Sequence, residues 1–221
     1  MISRIIYFSM IFFLVSCKKQ EDQPLQFTQV QYRVSITGNW QSPQFSVPSN
    51  VHFTTFTGMV HNSNTFLWRK ETLASAGVEN VAEIGDRTAI LNEIGANLNN
   101  KNALVAISII APGATGNSVD TISCNSNYTL VSFESMIAPS PDWFTGISEL
   151  NLFNNKQWVA DTTIHLYVYD AGTEEGDVFA YDNPATIPQE TVHLLTSELG
   201  MALANGNPVL SNIATVRFTR L

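Results

Sequence analysis

The chain has 221 residues and a formal charge of −8, from 19 acidic and 11 basic side chains. An acidic balance of that size argues against nucleic acid as a partner and against direct contact with anionic lipid, since both surfaces repel it. Its 2 cysteines are too few for a disulfide framework, so stability has to come from a sizeable apolar core.

Met1 to Ser16 carries one charge, Arg4, ahead of an apolar run through Ile5-Ile6-Tyr7-Phe8 and Ile11-Phe12-Phe13-Leu14. The run is too short for a permanent span and suits the apolar region of a secretory signal. It ends in Leu14-Val15-Ser16-Cys17, which resembles a lipobox: a small residue precedes the cleavage point, and a thiol follows it to take a diacylglycerol. Residues 1–16 are therefore read as the signal peptide of an exported bacterial lipoprotein anchored to the outer membrane through Cys17. An ordinary signal peptide cut elsewhere, or a short anchor, are the alternatives. Loss of the signal segment removes only Arg4 and leaves a net charge of −9. Residues 17–28, opening with Lys18-Lys19-Gln20-Glu21-Asp22-Gln23-Pro24, read as a flexible polar tether. Glu21-Asp22 is either a tag for surface export or part of a solvated linker. With Cys17 acylated, Cys124 has no partner within the chain and is expected to be a buried, inert thiol.

From residue 29 to 221 the pattern is that of one domain. Gln29–Ile36, Tyr128–Phe133, Thr162–Tyr169 and Ala214–Leu221 alternate polar and apolar residues between turn signals, as short antiparallel strands do. Ala103–Ile110 is continuously apolar and is expected to be a strand buried on both faces. Glu71–Ile84 and Arg87–Leu98 space their apolar residues by three and four, which predicts two short helices. Residues 111–118 and 182–188 are rich in turn formers and read as exposed loops. The sum is an all-β antiparallel sandwich with short helical insertions.

Several stretches are long and unusual enough to suggest a family. They are Ser140-Pro141-Asp142-Trp143-Phe144-Thr145-Gly146-Ile147, Leu150-Asn151-Leu152, Leu166-Tyr167-Val168-Tyr169-Asp170-Ala171-Gly172-Thr173-Glu174-Glu175-Gly176 and Asn183-Pro184-Ala185-Thr186-Ile187-Pro188-Gln189-Glu190. Weaker echoes are Thr37-Gly38-Asn39-Trp40, Gly58-Met59-Val60-His61-Asn62 and Gly77-Val78-Glu79-Asn80-Val81-Ala82-Glu83. In this order they resemble the spondin domain. The resemblance implies a synaptotagmin-type antiparallel sandwich, calcium held by acidic loops at one end, and an extracellular adhesive role. Animal members carry a cysteine after the Leu-x-Leu; this chain has Phe153, so the crosslink is absent and packing has to replace it.

Calcium takes roughly six to eight oxygen ligands, and loops supply them because their carbonyls are not committed to a ladder. Asp142 stands in a Pro-rich loop, Asp170 ends a predicted strand, and Glu174 follows four residues on, past Gly172. The resemblance puts the metal ligands on these three residues. Glu174 stands where animal members often have aspartate, which leaves Glu175 or Asp177 as substitutes. The competing reading is solvated charges held in Asx-turns. His52, His61, His165 and His193 lack the close pairing of a zinc site, and His61 suits a hydrogen-bonded structural role. Glu79 and Glu83 suit paired acids or, more simply, an exposed helical stripe. Trp40, Trp68, Trp143 and Trp158 suit a core better than a sugar platform. The expected function is non-enzymatic: a calcium-binding, lipid-anchored domain recognising an extracellular protein or glycan. A metal-assisted hydrolase of the envelope and a structural component without a ligand are the alternatives.

Overall fold

A computed structural model describes residues 27–195, 203 and 212–221; the signal segment, Cys17 and most of the expected tether lie outside them. The alternation of β1 (Gln29–Gly38) is used as period-two geometry requires. Tyr32, Val34 and Ile36 are fully buried, while Arg33 between them is exposed. Strand β1 lies between β5 (Asn117–Asn125) and β13 (Ala214–Arg220), and β10 (Asp161–Leu166) completes a four-stranded antiparallel sheet. The second sheet runs β12 (His193–Leu194), β11 (Val168–Asp170), β7 (Trp143–Asn151), β6 (Leu130–Ala138), β3 (Phe56–His61), β4 (Ala103–Ile109), with β2 (His52–Phe53) also paired to β6. A small hairpin joins β8 (Phe153–Asn154) to β9 (Gln157–Trp158). Between the two sheets Tyr32, Phe218, Phe56, Phe133 and Trp143 interdigitate, so the expected sandwich is present.

The helices do more than insert. Helix α1 (Ala76–Ile84) and helix α2 (Thr88–Asn99) cover the outer face of the second sheet. Val78, Val81 and Ala82 of α1 and Ile90 and Ile94 of α2 pack with Met59, Phe144 and Ala171 in a second apolar cluster. That third layer is why all 6 residues of β3 are buried. No helix among the described residues is long and apolar enough to cross a membrane.

Four local expectations are corrected. The first helix starts at Ala76 and not at Glu71, because Ser75 caps it by accepting from the Val78 amide at 3.3 Å. Its other end closes where Gly85 adopts φ 69°, a left-handed conformation that glycine takes without cost. Strand β4 is not buried on both faces: it lies at the sheet edge, where Ala106 and Ser108 are exposed and Ile110 just beyond it is 79% exposed. The run 162–169 is two strands, since the chain leaves the first sheet after Leu166 and joins the second at Val168. Residues 117 and 118, expected in a loop, begin β5.

Two buried groups have measurable consequences. Glu134 on β6 is fully buried with neither carboxylate oxygen hydrogen-bonded among the described residues. Burial first, and the nearby charge of Glu93 second, push its pKa well above the usual carboxylate range. Glu93 is itself committed, accepting from Ser75 Oγ and the Gly77 amide at 2.8 Å each. Glu134→Met preserves length while removing an unpaired acid, and is expected to raise stability by about 1–3 kcal/mol in urea denaturation. A loss of stability would show that the carboxyl has a partner. Cys124 is a free, buried thiol on β5, and burial pushes its pKa up to about 12. Disulfide-exchange titration of the native protein is expected to label it only after denaturant is added; rapid labelling would contradict the burial.

Candidate metal centre

Antiparallel register builds the site. Trp143, the first residue of β7, pairs with Asp170, the last of β11. Asp142, one residue before β7, thereby lies beside the turn that leaves β11, and its carbonyl accepts from the Ala171 amide at 3.2 Å. The loop from β6 is held by Ser140, whose Oγ accepts from the Trp143 amide at 3.3 Å.

Asp142 is fully buried. Its Oδ2 accepts from the Thr173 amide at 2.7 Å, the Glu174 amide at 3.1 Å and the Thr173 hydroxyl at 3.2 Å. Its Oδ1 is buried with no partner among the described residues. Asp170 forms an Asx-turn in which Oδ1 accepts from the Gly172 amide at 2.8 Å. Gly172 has φ +74°, and a Cβ there would lie 2.4 Å from the Glu190 carbonyl oxygen, so the turn requires glycine twice over. His193 Nδ1 is 4.0 Å from Asp170 Oδ1 and 3.1 Å from the Thr191 carbonyl. The Glu174 amide binds Asp142, but its carboxylate is turned aside, with Oε2 accepting from Asn183 Nδ2 at 3.2 Å. A cavity of about 380 Å³ opens beside these groups, lined by Asp170, Glu174, Glu175, Asp177, Glu190 and His193 among others.

The electrostatics are those of crowded acids. Burial raises the Asp142 pKa against the pull of the Thr173 and Glu174 amides. Burial, with repulsion from Asp142 second, raises Asp170 to about 6. Glu174 is raised by burial and by Asp142, with Asn183 opposing. Glu83 on α1, a half-buried residue, is raised by burial and then by Glu174, Glu79 and Asp142, with a side-chain hydrogen bond from Thr173 opposing.

The structure thus brings Asp142 and Asp170 together and ties Glu174 to Asp142 through its backbone. Among the described residues no three His, Cys, Asp or Glu side chains converge on one ion position, because Glu174 points to Asn183. Glu175 and Asp177 line the cavity as exposed groups. The donor set nonetheless suits a hard cation: carboxylates only, mutually repelling, with one buried oxygen left unpaired. Sequence reasoning missed Asn183 and treated Glu83 as an exposed stripe; its place in the Gly77–Glu83 echo was the available signal. Elsewhere, His61 is buried between Ser132 Oγ at 2.8 Å and the Asn62 carbonyl at 2.9 Å, and burial lowers its pKa. Trp40, Trp68 and Trp143 are core residues, and Trp158 is partly buried against the core. Cys17 lies outside the described residues.

Comparison with known proteins places these residues in context. The Spondin_N family model matches residues 30–205. The chain is 34% identical over 206 residues to Spondin-2 of Rattus norvegicus, covering 86% of this chain and 62% of that protein. It is 35% identical to Spondin-2 of Homo sapiens over 76% of this chain and 53% of that one. Against Spondin-1 of Gallus gallus the identity is 30%, over 76% of this chain and 22% of the relative. The chain therefore spans about three-fifths or less of the length of these relatives. On the family match over most of its length and on the sandwich that carries it, the chain belongs to the spondin-domain family.

Proposed function

We propose that this chain is a lipid-anchored, calcium-binding recognition domain of the bacterial cell envelope, adhesive and not enzymatic. The observation that carries the reading is the buried Oδ1 of Asp142, unpaired among the described residues, beside Asp170. Asp142, Asp170 and Glu174 would hold the ion, which supplies the positive charge that their mutual repulsion calls for. The chain's own residues set the rest. The Thr173 and Glu174 amides orient Asp142, Gly172 shapes the turn at Asp170, and Asn183 steadies Glu174 until it is needed. The 171–190 segment so ordered would present the recognition surface.

Against a hydrolase built on a serine and histidine, the hydrogen-bonded pair His61–Ser132 is wholly buried, so no substrate reaches it. The anchor rests on Leu14-Val15-Ser16-Cys17, which directs the protein to the outer membrane with the globular domain on a tether. The partner is an extracellular protein or glycan. Mass spectrometry of the native membrane-extracted protein is expected to find a diacylglyceryl Cys17 at the N-terminus; an unmodified Cys17 would refute the anchor. Glycan and protein arrays probed with and without calcium test the recognition reading. Binding is expected to vanish in EDTA and in Asp170→Asn. Binding that is indifferent to both would contradict the reading.

A further inference from the structure

The switch of sheets at Tyr167 leaves half of β7 without a neighbour. Strand β11 pairs with β7 only through residues 143–145, and β10, which precedes it in the chain, belongs to the other sheet. Beyond Thr145, β7 is paired with β6 on one side and with no strand on the other among the described residues. Successive backbone groups of an antiparallel strand point to opposite sides. The Asp142 carbonyl accepts from Ala171 beside β11, while the Glu149 amide turns the other way, to Ser132 Oγ on β6. Gly146 and Ser148 therefore aim their amides and carbonyls at the open side. Tyr167, the residue that would face Gly146 in a longer ladder, accepts instead from the Thr145 hydroxyl, at 2.6 Å.

A groove of about 480 Å³ runs along this edge. One wall is residues 68–70, tied down where Ser148 Oγ donates to the Trp68 carbonyl at 2.5 Å, and the other is Ile164 and His165 of β10. No acidic side chain lines it, in contrast to the cavity beside Asp170 and to the −8 charge of the whole chain. Lys70 is exposed there without an ion pair among the described residues. Arg69 is held rigid beside it, over Phe66 at 4.1 Å and against Glu149 at 2.6 Å. An open sheet edge offers main-chain hydrogen bonds to an extended chain, and a basic wall selects the charge of that chain.

We propose that this groove takes an extended peptide with acidic side chains, added as a strand to the open edge of β7 at Gly146 and Ser148, with Lys70 answering the acids. The site lies apart from the 171–190 loops and needs no cation. With so short an open ladder it is a weak contact by itself, one that the washes of an array do not retain.

The test is an isotope-edited NMR titration of the full mature chain in EDTA, so that its outcome is independent of calcium. The probe is a capped heptapeptide alternating glutamate and valine. It is expected to shift the Gly146 and Ser148 amide signals saturably, and its lysine–valine counterpart to leave them unchanged. Lys70→Glu, at an exposed position, should weaken the acidic peptide about tenfold. A strand docks through alternate residues, so of two probes N-methylated on the glutamate or on the valine amides, one should bind and the other should not. No saturable shift at the two amides overturns the inference and leaves the calcium site untouched. Equal binding by both methylated probes shows that no ladder forms and overturns it too, as does unchanged affinity in Lys70→Glu. An oligogalacturonate that shifts the same amides as strongly assigns the groove to polyanions at large. Shifts produced by raising the protein concentration alone assign the edge to a second copy of the chain. Either result overturns the peptide.

Discussion

Replacing Trp143 with alanine is expected to cost about 3–5 kcal/mol, a large share of the roughly 5–15 kcal/mol that holds a domain folded. The side chain is fully buried between the sheets, with Phe179 packed edge-on at 5.7 Å. It also opens β7, where its backbone pairs with Asp170, so the cavity would loosen both acids of the candidate site. Trp143→Phe should behave differently. The indole Nε1 is buried without a partner among the described residues, and removing an unpaired donor recovers about 1–3 kcal/mol, which offsets much of the lost volume. Urea denaturation separates the two. Equal losses for alanine and phenylalanine would show that the indole nitrogen is satisfied and that the packing argument is wrong.

In the absence of metal, the contribution of the site acids to stability is expected to rise as pH falls from 7 through 6. The folded-state pKa of Asp170 is raised from 3.8 to about 6, so between those values the folded chain binds more protons than the unfolded one. Protonation then favours folding, and the gain is complete below the unfolded value. The full displacement is worth up to about 3 kcal/mol, a fair scale for a side chain only 16% exposed. Asp142, Glu174 and Glu83 are raised for the same reason and act in the same direction. Saturating calcium should reverse the slope, because protons and metal compete for the same oxygens. Asp170→Asn should flatten the metal-free slope and stabilise the chain near neutral pH. Denaturation curves in EDTA at pH 7, 6 and 5 are compared between wild type and Asp170→Asn, because buried His61 and Glu134 also titrate differently on folding and do so in both proteins; identical slopes in the two would contradict the arrangement of acids.

How far these features were legible in the sequence depended on how local their causes are. Strands β1 and β13 could be read directly, since each has one buried face and alternates accordingly. Strand β5 begins within Asn117-Ser118-Val119-Asp120-Thr121, which looks like a loop because it is an edge strand whose early residues face water. The apolar run ending at Ile110 suggested double burial, yet apolar side chains at a sheet edge can remain exposed, and only the tertiary arrangement decides. The switch of sheets at Tyr167 has no local signature, because both halves are ordinary strand sequence. At the site, Asp142 and Asp170 were accessible through the resemblance, and the β7–β11 register explains why they meet. The rotation of Glu174 toward Asn183 and the approach of Glu83 to Thr173 arise from contacts across 9 and 90 residues of sequence, beyond any periodicity.

The loop acids are expected to bind calcium, and calorimetric titration of CaCl₂ into the metal-stripped mature chain measures it. One site per chain is expected, with a matching rise in melting temperature by mass action. Magnesium should substitute poorly because it demands a tighter octahedron, and Asp142→Asn or Asp170→Asn should abolish the response in a folded protein. A wild-type chain that takes up no calcium at millimolar concentration, and melts identically in calcium and in EDTA, would show that Asp142, Asp170 and Glu174 are no more than loop-shaping acids.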